Sequence, residues 1–160
     1  MKKIPLKNYF IVGFLIIFTI FLTFYLMKKY DSVKVKKINF VSEVKENELD
    51  SYITERQEVI IYMASSNNKE LDTFNKDLKK YTKDKNLKDL YVYLDLKNVS
   101  SNFYNKFNIK YLKEADNSVF NIKEPTFVII RNGKMDCYLN NINSIEQVKE
   151  FFKKNEVLEW

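Results

Sequence analysis

One cysteine, Cys137, and no histidine among 160 residues limit what chemistry this chain can do. Dithiol exchange needs one thiolate to attack and a second thiol to resolve the mixed disulfide, so one cysteine per chain excludes it. The lack of histidine removes the usual general base and the commonest metal ligand, and no metal or cofactor is expected. Ser65-Ser66 offers a hydroxyl without an evident base, and serine ahead of a helix reads as a cap. Asp72 and Asp77, and Asp84 and Asp89, read as solvated charge on lysine-rich surfaces. Tyr91 and Tyr93 on one strand read as core rather than as a platform for stacking bases. Cys137 alternates with polar neighbours so as to share a face with Met135 and Leu139, which predicts a buried core thiol. An intermolecular disulfide is the alternative there.

The elements that must position any site begin with Val59-Ile60-Ile61-Tyr62-Met63, a β-branched run that predicts a buried strand. Ala64-Ser65-Ser66-Asn67-Asn68 is a polar turn with helix-capping chemistry, and a helix from about Lys69 to Tyr81 follows, with Leu71, Phe74 and Leu78 on one face. Upstream, Ile38 to Val41 is a candidate first strand, and Ser42 a candidate cap for a helix over Glu43 to Gln57. Downstream, Leu90 to Leu94 predicts a strand, and Ser100 or Ser101 can cap a helix carrying Phe103, Tyr104 and Phe107. Asn108 to Lys123 reads as a long variable connection. Thr126 to Arg131, Asn132-Gly133 and Lys134 to Leu139 form a type I′ hairpin pattern, and Ser144 caps a last helix to about Asn155.

The first thirty residues hold five of the 27 basic residues and no acid, so positions 31 to 160 carry 22 basic against 21 acidic residues. That distribution argues for a membrane surface and against nucleic acid as the partner of the basic charge. Tyr9 to Met27 is an uncharged run that as a helix spans about 28 Å, which predicts a signal anchor in contact with membrane lipid. The run exceeds a signal-peptide core, and no small-x-small cleavage site follows it. The expected organisation is an anchor over 1–30, a basic stalk over 31–37 and one domain over 38–160. The protein is then expected to be single-pass at the cell membrane, with its domain extracytoplasmic.

The order β-α-β-α-β-α-β-β-α, together with Glu124-Pro125-Thr126-Phe127-Val128-Ile129-Ile130-Arg131-Asn132-Gly133-Lys134, resembles the thioredoxin-like superfamily over about residues 35 to 155. Among its members the chain looks most like membrane-tethered bacteriocin transport accessory or bacteriocin-maturation disulfide isomerase-like proteins. The resemblance implies an α/β fold, a mixed central sheet with helices on both faces, and a cis Glu124-Pro125 bond. It places the two family cysteines at Asn68 and Leu71, neither of which can form a thiolate. It further implies a redox-inactive protein, not an enzyme, that binds a peptide or protein partner. Glu124, Pro125 and Thr126 would form one wall of the site and Ser65, Ser66, Asn67 and Asn68 the other, with β-augmentation at Glu124. An accessory role in bacteriocin or peptide export is the expected setting. A single-thiol redox protein acting through Cys137, or a structural subunit of a membrane complex, are the alternatives.

Overall fold

The computed structural model describes residues 6–33, 38–112 and 120–157, and within the first of these the side chains of 13–26. The chain divides into two compact units, Met1–Lys36 and Lys37–Trp160.

The first unit holds α1, Leu6–Val33. Thr19 and Thr23 donate their hydroxyls to the carbonyls of Leu15 and Thr19, so both threonines of this apolar stretch are satisfied within the helix. Here the expectation of a membrane span over Tyr9 to Met27 is corrected. Among the described residues no helix is long and apolar enough to cross a membrane. The lipid partner, the single-pass membrane location and the extracytoplasmic placement rested on that span and are withdrawn with it. The expected stalk begins inside α1, which continues to Val33, and its remainder at 34–37 lies outside the described residues.

The second unit is built on a four-stranded sheet in the order β2-β1-β3-β4, formed by β1 (Glu58–Ala64), β2 (Val92–Asp95), β3 (Thr126–Arg131) and β4 (Lys134–Leu139). β2 runs parallel to β1, while β3 pairs antiparallel with β1 and β4. β1 is central and covered on both faces, which is why it reads as a nearly unbroken apolar run. One face packs on α3 (Asp72–Asp84) and α5 (Ile145–Lys154), through Phe74, Leu78, Val148 and Phe152 against Tyr62, Tyr93 and Phe127. The other packs on α2 (Glu46–Thr54) and α4 (Phe103–Tyr111), through Leu49, Ile53, Phe103 and Phe107 against Ile61, Met63 and Val128. With few glycines and many rings, the core is filled by aromatic pairs such as Tyr62–Phe127 at 5.0 Å and Tyr91–Phe127 at 5.3 Å.

The hairpin forms as its turn residues require: Asn132 and Gly133 both have positive φ, at 52° and 72°. Ser144 caps α5, its hydroxyl accepting from Gln147 N at 3.4 Å while the Gln147 side chain accepts from Ser144 N at 3.2 Å. The N-terminal edge differs from expectation. Ile38 to Val41 is not a strand. Instead Ser42 and Val44 pair with Tyr93 at the open edge of β2, at 2.9 and 2.8 Å. With that backbone engaged in pairing, Ser42 cannot cap a helix, and α2 starts at Glu46 after Lys45. The thiol is also placed differently. The ladder shifts register between Ile129 and Ile130, where Cys137 and Met135 are the respective partners and Asp136 is the extra residue. That bulge turns Met135 toward α2 and α4 while Cys137 and Leu139 pack on the α3 and α5 side. Cys137 is half-buried, its thiol donating to Asn155 Oδ1 at 3.1 Å.

Candidate functional site

The C-terminal ends of β1 and β2 and the start of β3 meet at one edge of the sheet, where Met63 pairs with Thr126 and Ala64 with Asp95. Past Ala64 the chain leaves the sheet, and Asn68 N bonds to Ser65 O at 3.1 Å to close a turn. Asn68 then caps the 3₁₀ turn Lys69–Leu71 that leads into α3, its Oδ1 accepting from Glu70 N at 3.1 Å. Leu71 is 7% exposed and belongs to the core. Where the resemblance puts a reactive cysteine pair, this chain therefore has a turn cap and a core leucine.

Opposite this loop stands the segment before β3. The Glu124-Pro125 peptide is cis, Pro125 and Thr126 are buried, and Glu124 is half-buried. The carboxylate of Glu124 accepts from Ser65 N at 2.9 Å and from Ser65 Oγ at 2.6 Å, joining two segments 59 residues apart. Neighbouring backbone is held from behind. The Thr126 hydroxyl lies 2.8 Å from Lys123 O and 2.6 Å from Asn140 Oδ1, Ile142 N donates to Pro125 O at 3.2 Å, and Asn141 N donates to Lys123 O at 2.9 Å. The main-chain N–H and carbonyl of Glu124 itself have no partner among the described residues. The structure thus brings Ser65 and Glu124 into contact and leaves Asn67 exposed on the loop.

Asp95 is the functional-edge residue that sequence reasoning missed. It is 7% exposed and accepts from Ser66 N at 3.0 Å, Lys97 N at 3.1 Å and Asn98 Nδ2 at 3.0 Å, which fixes the loop after β1 to the turn after β2. An acid closing an apolar strand just before a turn was the available signal. Behind both carboxylates lies the buried Tyr93, whose hydroxyl donates to Ala64 O at 2.8 Å. Burial first, and then the negative charges of Asp95, Glu43 and Glu124, push that hydroxyl far above the ordinary tyrosine range. Tyr62, also buried, donates to Asn75 Oδ1 at 2.7 Å and is raised mainly by burial.

No group of three or more metal-ligating side chains occurs among the described residues. Cys137 is remote from this edge: its pairing through Ile129 reaches Ile60, about four residues or ~13 Å before the end of β1. What the edge presents is largely paired polar backbone, with the main chain at Glu124 unpartnered among the described residues.

Fold and site together define a thioredoxin-like fold without a Cys-x-x-Cys pair, and with one cysteine the chain lacks the means for intramolecular dithiol exchange. The fold matches thioredoxin f2 of Chlamydomonas reinhardtii with a TM-score of 0.52 at 9% identity, covering 74% of this chain and 99% of that one. It matches at 0.50 and 13% identity a chain from a study of thiol resolution in yeast mitochondrial 1-Cys peroxiredoxin, covering 71% and 94% respectively. No protein-family model matches. In sequence the chain is 31% identical over 182 aligned positions to the ancillary SecYEG translocon subunit of Buchnera aphidicola subsp. Schizaphis graminum, covering 99% of this chain and 88% of that protein. The chain belongs to the family of that subunit. The expected placement among membrane-anchored bacteriocin accessory proteins is corrected accordingly: none of these relatives is one, and the anchor it relied on is absent among the described residues.

Proposed function

We propose that this protein is an accessory subunit of a polypeptide-translocation machine, and that its thioredoxin-like domain holds an extended polypeptide at the Glu124 edge without thiol chemistry. The translocon setting is suggested by the relative's name. The binding role is carried by the main chain at Glu124, which has no partner among the described residues and lies beside a loop that Asp95 and Glu124 hold in place. An extended segment can add there by main-chain hydrogen bonds, while Glu124, Pro125 and Thr126 form one wall and Ser65, Ser66, Asn67 and Asn68 the other. A rigid edge lowers the entropy cost of binding, because the receiving backbone is already ordered.

Fluorescence anisotropy of a labelled, permanently unfolded polypeptide titrated with the full chain tests this. Saturable binding is expected, retained in Cys137→Ser. An absence of binding, or its loss in Cys137→Ser, contradicts the proposal.

A further inference from the structure

We infer that the cleft between α2 and α4 seats a large uncharged apolar side chain, such as phenylalanine, of the same extended polypeptide, an inference that rests on the binding edge proposed above. A cavity of about 680 Å³ opens between α2, α4 and the end of β2. Its floor is apolar, made by the buried Leu49, Leu94, Phe103 and Phe107 and the half-buried Val99. Size and lining are those of a site that encloses an apolar group.

The cleft is continuous with the edge through Asp95. That residue lines the cavity and accepts from Ser66 N at 3.0 Å, so one carboxylate both forms cleft wall and holds the loop opposite Glu124. Strand register gives the span. Thr126, two residues after Glu124, pairs with Met63, and Ala64 pairs with Asp95, with β1 lying between β3 and β2. Two strand spacings, about 10 Å, therefore separate the Glu124 main chain from the cleft wall, and about three residues of extended chain cover that distance at ~3.3 Å each.

The rim decides the charge of the occupant. Four carboxylates, of Glu43, Glu46, Asp50 and Asp95, and three lysines, Lys45, Lys106 and Lys110, line it. Asp50 bonds Lys110 at 2.7 Å and accepts from the Tyr111 hydroxyl, Glu46 accepts from Ser100 Oγ at 2.6 Å, and Asp95 serves three donors. A charge of either sign brought into this rim meets its own sign as well as its opposite and gains little, whereas an apolar side chain gains by leaving water.

The test uses the full chain and four dye-labelled extended peptides on one uncharged host, differing only in a central Phe, Ser, Arg or Glu. About five host residues on each side let the chain reach Glu124 from the cleft. The Phe peptide should bind about tenfold more tightly than the Ser peptide, and the Arg and Glu peptides should gain less than about threefold over it. Asn47→Trp and Lys106→Trp fill the cleft from its α2 and α4 walls, each from an exposed position. In each variant the Phe-to-Ser affinity ratio should fall at least about threefold. Equal affinity for the Phe and Ser peptides, a Phe advantage kept in both variants, or a larger gain for Arg or Glu than for Phe overturns the cleft and leaves the edge standing. Binding of none of the peptides overturns both.

Discussion

The carboxylate of Glu124 holds both the main-chain N–H and the hydroxyl of Ser65, at 2.9 and 2.6 Å, and so ties the segment before β3 to the loop after β1. Removing it should cost stability as well as shape. Glu124→Ala is expected to destabilise the fold by about 1.5–3 kcal/mol, the range for hydrogen bonds to a charged group, and Glu124→Gln by less, since its amide oxygen still accepts. Urea midpoints of the two variants check this.

Asp95 makes a stronger case, because it is nearly fully buried and serves three donors. Asp95→Ala leaves those donors unsatisfied and should cost about 3 kcal/mol. Asp95→Asn keeps one acceptor oxygen but turns an amide toward Asn98, so it should fall between wild type and Asp95→Ala. Equal stability of all three would show that the loop is held by other contacts.

α2 and α4 are joined by two carboxylates whose pKa values lie below the ordinary range. Glu46 accepts from Ser100 Oγ at 2.6 Å and Ser100 N at 2.5 Å, and the hydroxyl contact is the larger cause of its shift. Asp50 is lowered first by Lys110, at 2.7 Å, and then by the Tyr111 hydroxyl. Both folded values lie below the unfolded ones, so as pH falls the unfolded chain takes up protons first. Their stabilisation is complete above the ordinary carboxylate range and fades as pH drops through it toward the folded values. The urea midpoint should therefore fall below about pH 5, and the double variant Glu46→Gln, Asp50→Asn should show a shallower fall from a lower neutral value.

Cys137 is a half-buried thiol bonded to Asn155 Oδ1 at 3.1 Å, and serine can donate in its place. Cys137→Ser should change stability by less than about 1 kcal/mol. The melting temperature of the wild type should be the same under reducing and oxidising conditions. A redox-dependent shift would point to an intermolecular disulfide.

Local chemistry was legible in the sequence wherever it decides the conformation. Asn132-Gly133 marks its turn because the φ values there favour these residues, and Val59 to Met63 marks a central strand because both of its faces are buried. Ser144 caps α5 for the same local reason. What escaped was set by partners distant in sequence. Ser42 pairs with Tyr93 rather than capping a helix, and Ser100 gives its hydroxyl to Glu46, so α4 begins only at Phe103. The bulge at Asp136 reassigns the faces of Met135 and Cys137, and alternation alone cannot register it. In the candidate site the walls were named from resemblance, but the Glu124–Ser65 contact and the role of Asp95 emerge only when the strand ends are brought together. The apolar run over Tyr9 to Met27 was read on length and composition, and among the described residues no helix is long and apolar enough to cross a membrane.

The most direct measurement places a photo-crosslinking side chain at Asn67, exposed beside the proposed edge, in a Cys137→Ser background, with Lys83 on the exposed end of α3 as the control position. Illumination with an unfolded polypeptide bound should give adducts at 67 and few at 83, with no dependence on reductant. Adducts equal at both positions, or absent at 67 while the polypeptide remains bound, would contradict a thiol-free binding edge at Glu124.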